Sequence, residues 1–377
     1  MPTILQILPT LNTGGVERGT IEISKAIIAN KYNSIVISAG GKLVPLLEKH
    51  GAIHITLNVN SKNPFIIYRN SYKLKKIFND YNVDIVHARS RAPAWSAYLA
   101  TKNSKIKFIT TFHGIYSGKN FFKKCYNAIM TKGVKVIAVS NFIKNHILDH
   151  YHISDPSKII CIHRGVDITQ FNEKNTLIDQ VQKYINNYHI PDDKKIILMP
   201  ARITAWKGHE FLINSLKKLS NKDYHCLIVG DAQKHPNYRN RLEKLILSLK
   251  LQDNITIMNN IPDIENLYKI ASIIISASIR PEPFGRNIVE AGAMGKIVIA
   301  TKHGGATESI IDGETGFLVE LNNTNDFAKK IDHVLNLTTK QKNNIEQNAK
   351  NHVINNFSIT QMQNKTIDLY NSLITHN

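Results

Sequence analysis

Short apolar runs rich in isoleucine and valine, each followed by a helix-like stretch, recur along the whole chain and fix its fold class. Such runs occupy residues 3–9, 34–38, 53–57, 83–87, 107–111 and 134–139 in the first half, with a first helix over 16–30. The second half repeats the rhythm at 196–199, 225–229, 255–258, 273–276 and 297–300. Helices are expected there near 208–219, 236–250, 263–270 and 286–295. Short β-branched runs of this kind mark strands of a parallel sheet covered on both faces by crossover helices. A chain of 377 residues is too long for one core,. Two successive rounds of alternation predict an α/β protein of two doubly wound, Rossmann-like domains, over 1–167 and 168–355,. The Asn- and Lys-rich stretch 168–194 reads as the connection between them, and the tail from about 325 reads as helical, broken near 355–357. Open α/β sheets bind ligands beyond the carboxyl ends of their strands. Two such domains facing each other across a cleft offer two half-sites, one for a nucleotide and one for a second substrate.

Composition narrows the class further. Hydrophobic residues are 42%, aromatic 8% and charged 20%, which excludes a disordered chain, a collagen and a small disulfide scaffold,. No apolar run approaches the ~18 residues that span a bilayer, and mean hydropathy is −0.21. Cys125, Cys161 and Cys226 are far apart and odd in number, as free thiols in a reducing compartment would be,. The N-terminal residues lack the basic and apolar regions of a signal peptide,. A cytoplasmic protein is expected.

Charge is unevenly placed. The chain carries a formal +19, and residues 1–167 hold 23 basic against 8 acidic side chains, a balance of +15. The remainder holds 25 against 21. Nucleic acid, an anionic membrane surface or a phosphorylated acceptor would each complement such a half. Compositional bias toward Lys, Asn and Ile would raise both halves alike, and they differ.

The chemistry concentrates in Arg280-Pro-Glu-Pro-Phe-Gly-Arg-Asn-Ile-Val-Glu290, which follows a strand and opens a helix near Arg286. The unpaired amides and positive dipole end of such a helix suit a diphosphate, and Gly285 permits close approach. Glu282 and Glu290, eight apart, can each grip a polyol, one the transferred sugar and the other a ribose. Taken singly, either glutamate would read as a solvated charge.

With these residues the chain resembles the group-1 glycosyltransferases, family 4: retaining, metal-independent enzymes of the GT-B fold. The Glu-x7-Glu signature is matched by Glu282 and Glu290 with Phe284-Gly285 between, and continues through Gly295–Ala300, Gly304-Gly305-Ala-Thr-Glu308 and Asp312–Val319. A second element, Arg202 and Lys207-Gly208 after a strand, can direct two cations at one diphosphate,, and is similar to the pair that neutralises the family's leaving group. The resemblance implies that Thr13-Gly14-Gly15 faces the donor from the first domain, with Gly15 the closest approach. His113, at a strand end before Gly114, would contact the donor sugar, and Asp231 would lie near the base or ribose. Catalytic roles thus fall to His113, Glu282, Arg202 and Lys207. Donor binding falls to Gly15, Arg202, Lys207, Asp231, Glu282, Phe284, Gly285, Asn287, Ile288 and Glu290. The final helix, 356–377, would pack back on the N-terminal domain.

Several features depart from the family pattern. Gly230-Asp231 runs on as Ala-Gln rather than Gly-Pro, and His163-Arg164-Gly165-Val166-Asp167 replaces the usual Pro-Asn-Gly-Val-Asp hinge, so that Arg164 adds a cation to the cleft. Arg286 reads either as a phosphate contact or as a solvated cap. No Asp-x-Asp stands at a strand end, and no metal or cofactor is expected. Arg202, Lys207 and the helix dipole would bear the charge of a UDP or GDP leaving group. Retention would proceed by same-face attack, the departing phosphate oxygen assisting the acceptor hydroxyl. Lys119–Lys135, with Phe121, Phe122, Cys125, Ile129 and Met130 on one helical side and Lys123 and Lys124 on another, reads either as a bilayer contact or as a core-facing helix,. The expected partners are a nucleotide-sugar donor, a glycolipid or polysaccharide acceptor of the cell envelope (lipopolysaccharide among them), and the inner face of the cell membrane. A GT-B nucleotide-sugar epimerase is the alternative. A nucleic-acid binder lacks any supporting motif.

Overall fold

The computed structural model describes residues 1–12, 14–116, 118, 120–175, 177–233 and 235–375. Thr13 and Lys119 therefore lie outside the described residues. The chain divides into two units, Met1–Arg164 with Ile359–Asn377, and Gly165–Ser358.

The first unit carries β1 (Thr3–Ile7), β2 (Asn33–Ser38), β3 (Ile53–Thr56), β4 (Ile85–Ala88), β5 (Lys107–Phe112), β6 (Lys135–Ala138) and β7 (Ile159–Cys161). They form a parallel sheet in the order β3-β2-β1-β4-β5-β6-β7. β1 sits at the point where the winding reverses, pairing Leu5 with both Ile35 and Val86. Helices α1 (Gly15–Ala29), α2 (Val44–Lys49), α3 (Pro64–Asp80), α4 (Arg91–Thr101), α5 (Phe121–Ala128) and α6 (Asn141–His150) cover it.

The second unit carries β8 (Lys195–Pro200), β9 (Tyr224–Val229), β10 (Ile255–Met258), β11 (Ile273–Ser276), β12 (Val298–Thr301) and β13 (Phe317–Val319). Their order is β10-β9-β8-β11-β12-β13, again parallel, with the reversal between β8 and β11. Its helices are α7 (Ile178–Tyr188), α8 (His209–Leu216), α9 (Pro236–Ser248), α10 (Glu265–Ile270), α11 (Arg286–Ala293), α12 (Ala306–Ser309), α13 (Thr324–Leu335) and α14 (Thr339–Phe357). The last helix, α15 (Ile359–Ile374), belongs to the first unit. Met362, Ile367 and Tyr370 pack there against Ile23 and Ile27 of α1 and Ile4, Ile85 and Ile109 of the sheet. The α/β class and the doubly wound topology agree with the sequence.

Some expectations are corrected. Stretch 168–194 is part of the second unit and contains α7, whose Tyr184, Ile185 and Tyr188 rest on that unit's core. Residues 165–167 and 356–358 also belong there, because the Val166 amide donates to the Phe357 carbonyl at 2.8 Å and Val166 is buried. The helical tail breaks at Ser358 and also at 336–338, where Thr338 and Gln341 form a capping box that starts α14 afresh,. Strands β7 and β13, three residues each, carry too little pattern to be read from sequence. Among the described residues, no helix is long and apolar enough to cross a membrane.

Candidate active site

Three helices open at the carboxyl edges of strands beside the two reversal points, and each begins on glycine. Gly14 caps α1 after β1, Gly208 caps α8 after β8, and Gly285 caps α11 after β11. None has a side-chain cap. Asn63, Asn120, Ser140, Asn323 and Thr338 give a side-chain oxygen to the first-turn amides of α3, α5, α6, α13 and α14, while α2, α4, α7, α9, α10 and α12 lack such a cap too. The glycine starts give the first-turn amides of α1, α8 and α11 no side-chain cap, although in α11 the Ile288 amide donates to the Gly285 carbonyl at 3.1 Å; a helix N-terminus without a side-chain cap can receive a phosphate,.

In the second unit, the loop after β8 is pressed against the end of β11. Gly208 has φ +81°, and a Cβ there would come 1.8 Å from the Ala277 carbonyl oxygen, which leaves room only for glycine,. The Ile279 amide donates to the Trp206 carbonyl at 2.8 Å. This docking places the Lys207 ammonium 2.7 Å from Glu282 Oε1, with 13% of each side chain exposed. The Ser278 hydroxyl donates to the same carboxylate oxygen. Arg202 of the same loop is exposed.

Glu290 lies further into α11 and is held in parallel fashion. Arg286 Nη2 is 3.2 Å from its Oε1, and the Tyr268 hydroxyl donates to its Oε2 at 3.3 Å. Burial, then the Glu290 charge, hold the Tyr268 phenol well above its ordinary value, so it remains a donor,. Each signature glutamate is thus fixed by one cation and one hydroxyl. Arg286, read from sequence as a phosphate contact or a solvated cap, pairs with Glu290.

The loop between β11 and α11 is braced from the Gly304-Gly305 turn. A Cβ on Gly304 would lie 2.6 Å from the Glu282 carbonyl oxygen, and one on Gly305 would lie 2.5 Å from Phe284 Cα. The Gly305 amide donates to the Glu282 carbonyl at 2.8 Å. His303 Nε2 and the Thr301 hydroxyl both donate to the Ser278 carbonyl, at 2.6 and 2.7 Å. Gly285 is left-handed at φ +83°. Phe284 and Ile288 are buried in the second unit's core, so their side chains are packing groups, and the Ile288 amide donates to the Gly285 carbonyl at 3.1 Å. Asn287 is also buried, accepting from Ser276 Oγ at 3.4 Å. Asp231 follows Gly230, where a Cβ would come 2.0 Å from the Ala201 carbonyl oxygen, and its Oδ1 accepts from the Gln233 amide at 2.7 Å.

In the first unit, Gly15 and His113 are joined by a residue expected elsewhere. Arg164 is not an exposed cation. It is almost fully buried, donating from Nη2 to the Gly15 carbonyl and from Nη1 to His113 Nδ1 at 3.3 Å, with Glu22 Oε2 3.9 Å away. Gly19 makes the space, since a Cβ there would meet Arg164 Nη2 at 2.6 Å. Burial, followed by the charges of Arg164 and Arg89, holds His113 well below the usual imidazole range. Ser278, Tyr268 and His303 escaped sequence reasoning. Ser278 alone had a usable signal, as a hydroxyl at a strand end four residues before Glu282.

Two doubly wound parallel domains, with helix starts on glycine and paired carboxylates at the carboxyl edge of the second, are the features of the GT-B fold class. Residues 13–170 match the family described as Glycosyltransferase Family 4, and residues 180–352 match Glycosyl transferases group 1. A glycosyltransferase from Rickettsia africae ESF-5 of known crystal structure is 50% identical, covering 100% of this chain and 99% of that one, with a TM-score of 0.93. Anabaena Alr3699/HepE, crystallised with UDP and glucose, shares the fold at a TM-score of 0.85, with 22% identity over 99% of this chain and 100% of its own. The uncharacterized glycosyltransferase MJ1178 of Methanocaldococcus jannaschii is 28% identical over 327 residues, 81% of this chain and 77% of its own. The chain belongs to the group-1 glycosyltransferases.

Proposed function

We propose that this enzyme transfers a hexose from UDP- or GDP-sugar to an acceptor hydroxyl with retention of anomeric configuration and without a metal ion. The observation that carries the reading is the pair of pre-oriented carboxylates, Glu282 with Lys207 and Glu290 with Arg286, flanking the uncapped start of α11. In this reading Glu290 takes the ribose and Glu282 the sugar hydroxyls. Lys207, the exposed Arg202 and the α11 amides bear the charge of the leaving diphosphate. The bond from the anomeric carbon to the diphosphate oxygen breaks as the acceptor oxygen bonds to that carbon on the same face, and the acceptor proton passes to the departing phosphate oxygen. Gly15 and His113 serve the donor from the first unit, and Asp231 lies near the base. Calorimetric titration with UDP, GDP and ADP in EDTA tests the donor site: one diphosphate binds, and Glu290→Gln weakens it. If binding requires added metal, the metal-free reading falls. NMR of the donor with enzyme alone tests the epimerase alternative, which would yield an epimer without acceptor.

The acceptor we propose is an envelope glycolipid or lipopolysaccharide reached at an anionic membrane surface. Support comes from the first unit. Ile129 and Met130 turn into the core, while Phe121 and Phe122 of α5 are 75% and 82% exposed. Beside them an apolar groove of about 580 Å³ is lined by Phe65, Trp95, Leu99 and Cys125. Residues 85–148 hold no Asp or Glu. Exposed aromatics beside unopposed cations suit an anionic bilayer. Sedimentation with phosphatidylglycerol vesicles should fall for Phe121→Ser/Phe122→Ser with nucleotide binding intact. Equal sedimentation of variant and parent would reject the surface.

A further inference from the structure

Arg164 is spent on a contact that specifies chemistry at His113. A guanidinium is permanently protonated and has no acceptor, so the nitrogen it faces at 3.3 Å, His113 Nδ1, must offer a lone pair. The neutral ring then carries its one proton on Nε2. That Nε2 is buried and has no hydrogen-bond partner among the described residues. A buried donor left over after folding is costly unless a ligand takes it. The same guanidinium holds the Gly15 carbonyl, so one side chain ties the start of α1 to the end of β5.

Resting on the reading that His113 contacts the donor, we infer that Arg164 is a positioning residue which locks His113 as a neutral imidazole with its proton on Nε2. His113 thereby presents a single N–H to an oxygen of the substrate and cannot act as a base through that nitrogen. The charged and titratable groups around the ring agree. Arg89, just after β4, and His87 of β4 oppose a second proton together with Arg164. His87 is itself engaged by the Tyr370 hydroxyl of α15 at 2.7 Å and by Thr111 at 2.6 Å. Glu22 of α1 lies against Arg164, and Tyr116 stays a neutral phenol, pushed up by burial.

The test is ¹⁵N NMR of histidine-labelled full-length enzyme from pH 6 to 8. His113 Nε2 should fall in the protonated range and Nδ1 in the bare range throughout. Arg164→Leu and Gly19→Ala should both move these signals; Gly19→Ala keeps both partners and displaces only the guanidinium, so it serves if Arg164→Leu fails to fold. In either variant kcat should drop about tenfold with KM changed less. His113→Gln, which retains an N–H donor, should keep more kcat than His113→Leu. An Nδ1–H ring or an imidazolium in the parent enzyme would overturn the inference, as would nitrogen signals unmoved in both variants. If the signals behave as stated but His113→Leu turns over normally, the donor contact is wrong and the tautomer assignment stands.

Discussion

The Lys207 ammonium stands 2.7 Å from the Glu282 carboxylate, joining the loops that follow β8 and β11 in a largely buried ion pair. The cation proposed to meet a diphosphate is thus neutralised by the carboxylate proposed to hold the sugar. Removing either partner strands the other charge where water reaches it poorly. Lys207→Ala and Glu282→Gln should each lower kcat about a hundredfold or more while the fold persists. A double-mutant cycle in urea should return a coupling of about 1–3 kcal/mol. Unchanged turnover in both variants would sink the proposed mechanism.

The docking of those two loops depends on Gly208. A Cβ at 1.8 Å from the Ala277 carbonyl cannot be accommodated without moving backbone, and φ +81° adds strain of about 1–2 kcal/mol for any L side chain,. Gly208→Ala should therefore lower Tm and reduce kcat although the residue carries no reactive group. Gly313→Ala is the control: its φ is +81° too, but nothing lies within 4 Å of its Cβ position. Gly313→Ala should cost only the backbone strain, seen as a smaller fall in Tm with kcat preserved.

Tyr268→Phe isolates the hydroxyl that orients Glu290. The ring stays in the core, and only the 3.3 Å hydrogen bond to Oε2 and the longer one to the Asn287 carbonyl are lost. Nucleotide affinity measured by calorimetry should weaken, and Glu290→Gln should weaken it further, by about tenfold or more. Combining the two should add little to Glu290→Gln alone, because the tyrosine acts through the carboxylate. Strict additivity would show that Tyr268 acts elsewhere.

What was legible in the sequence follows physical range. Runs such as Ile273–Ser276 are buried on both faces, so their β-branched pattern survives any detail of the fold,. Glu282 and Glu290 were legible because a short loop and a glycine announce the helix start between them. α7 was not, since none of its residues is fully buried and its Asn, Gln and Lys faces mask the spacing of Tyr184, Ile185 and Tyr188. Tyr268 reaches Glu290 across 22 residues and Arg164 reaches Gly15 across 149, distances at which one sequence carries no pairing signal. Arg164 shows the cost of reading charge without place. A basic residue near a hinge suggested a free cation, and the fold turns it inward onto two acceptors.

Acid should destabilise the second unit through His209. This side chain is fully buried in α8, and burial pushes its pKa from 6.5 down to about 4. Above pH 6.5 the ring is neutral in folded and unfolded chains alike, and its contribution to stability is fully present. Between pH 6.5 and about 4 the unfolded chain takes up a proton that the folded chain refuses, so stability falls with pH. The loss is about 1.4 kcal/mol per pH unit within that window and levels off below it. Urea unfolding from pH 8 to pH 4 should show this decline, with His87, held well below the usual range by burial in the first unit, adding to it. His209→Gln should flatten the slope by close to one proton relative to the parent while lowering stability at pH 8. An identical slope in both proteins would mean that His209 is protonated inside the fold or reached by water there.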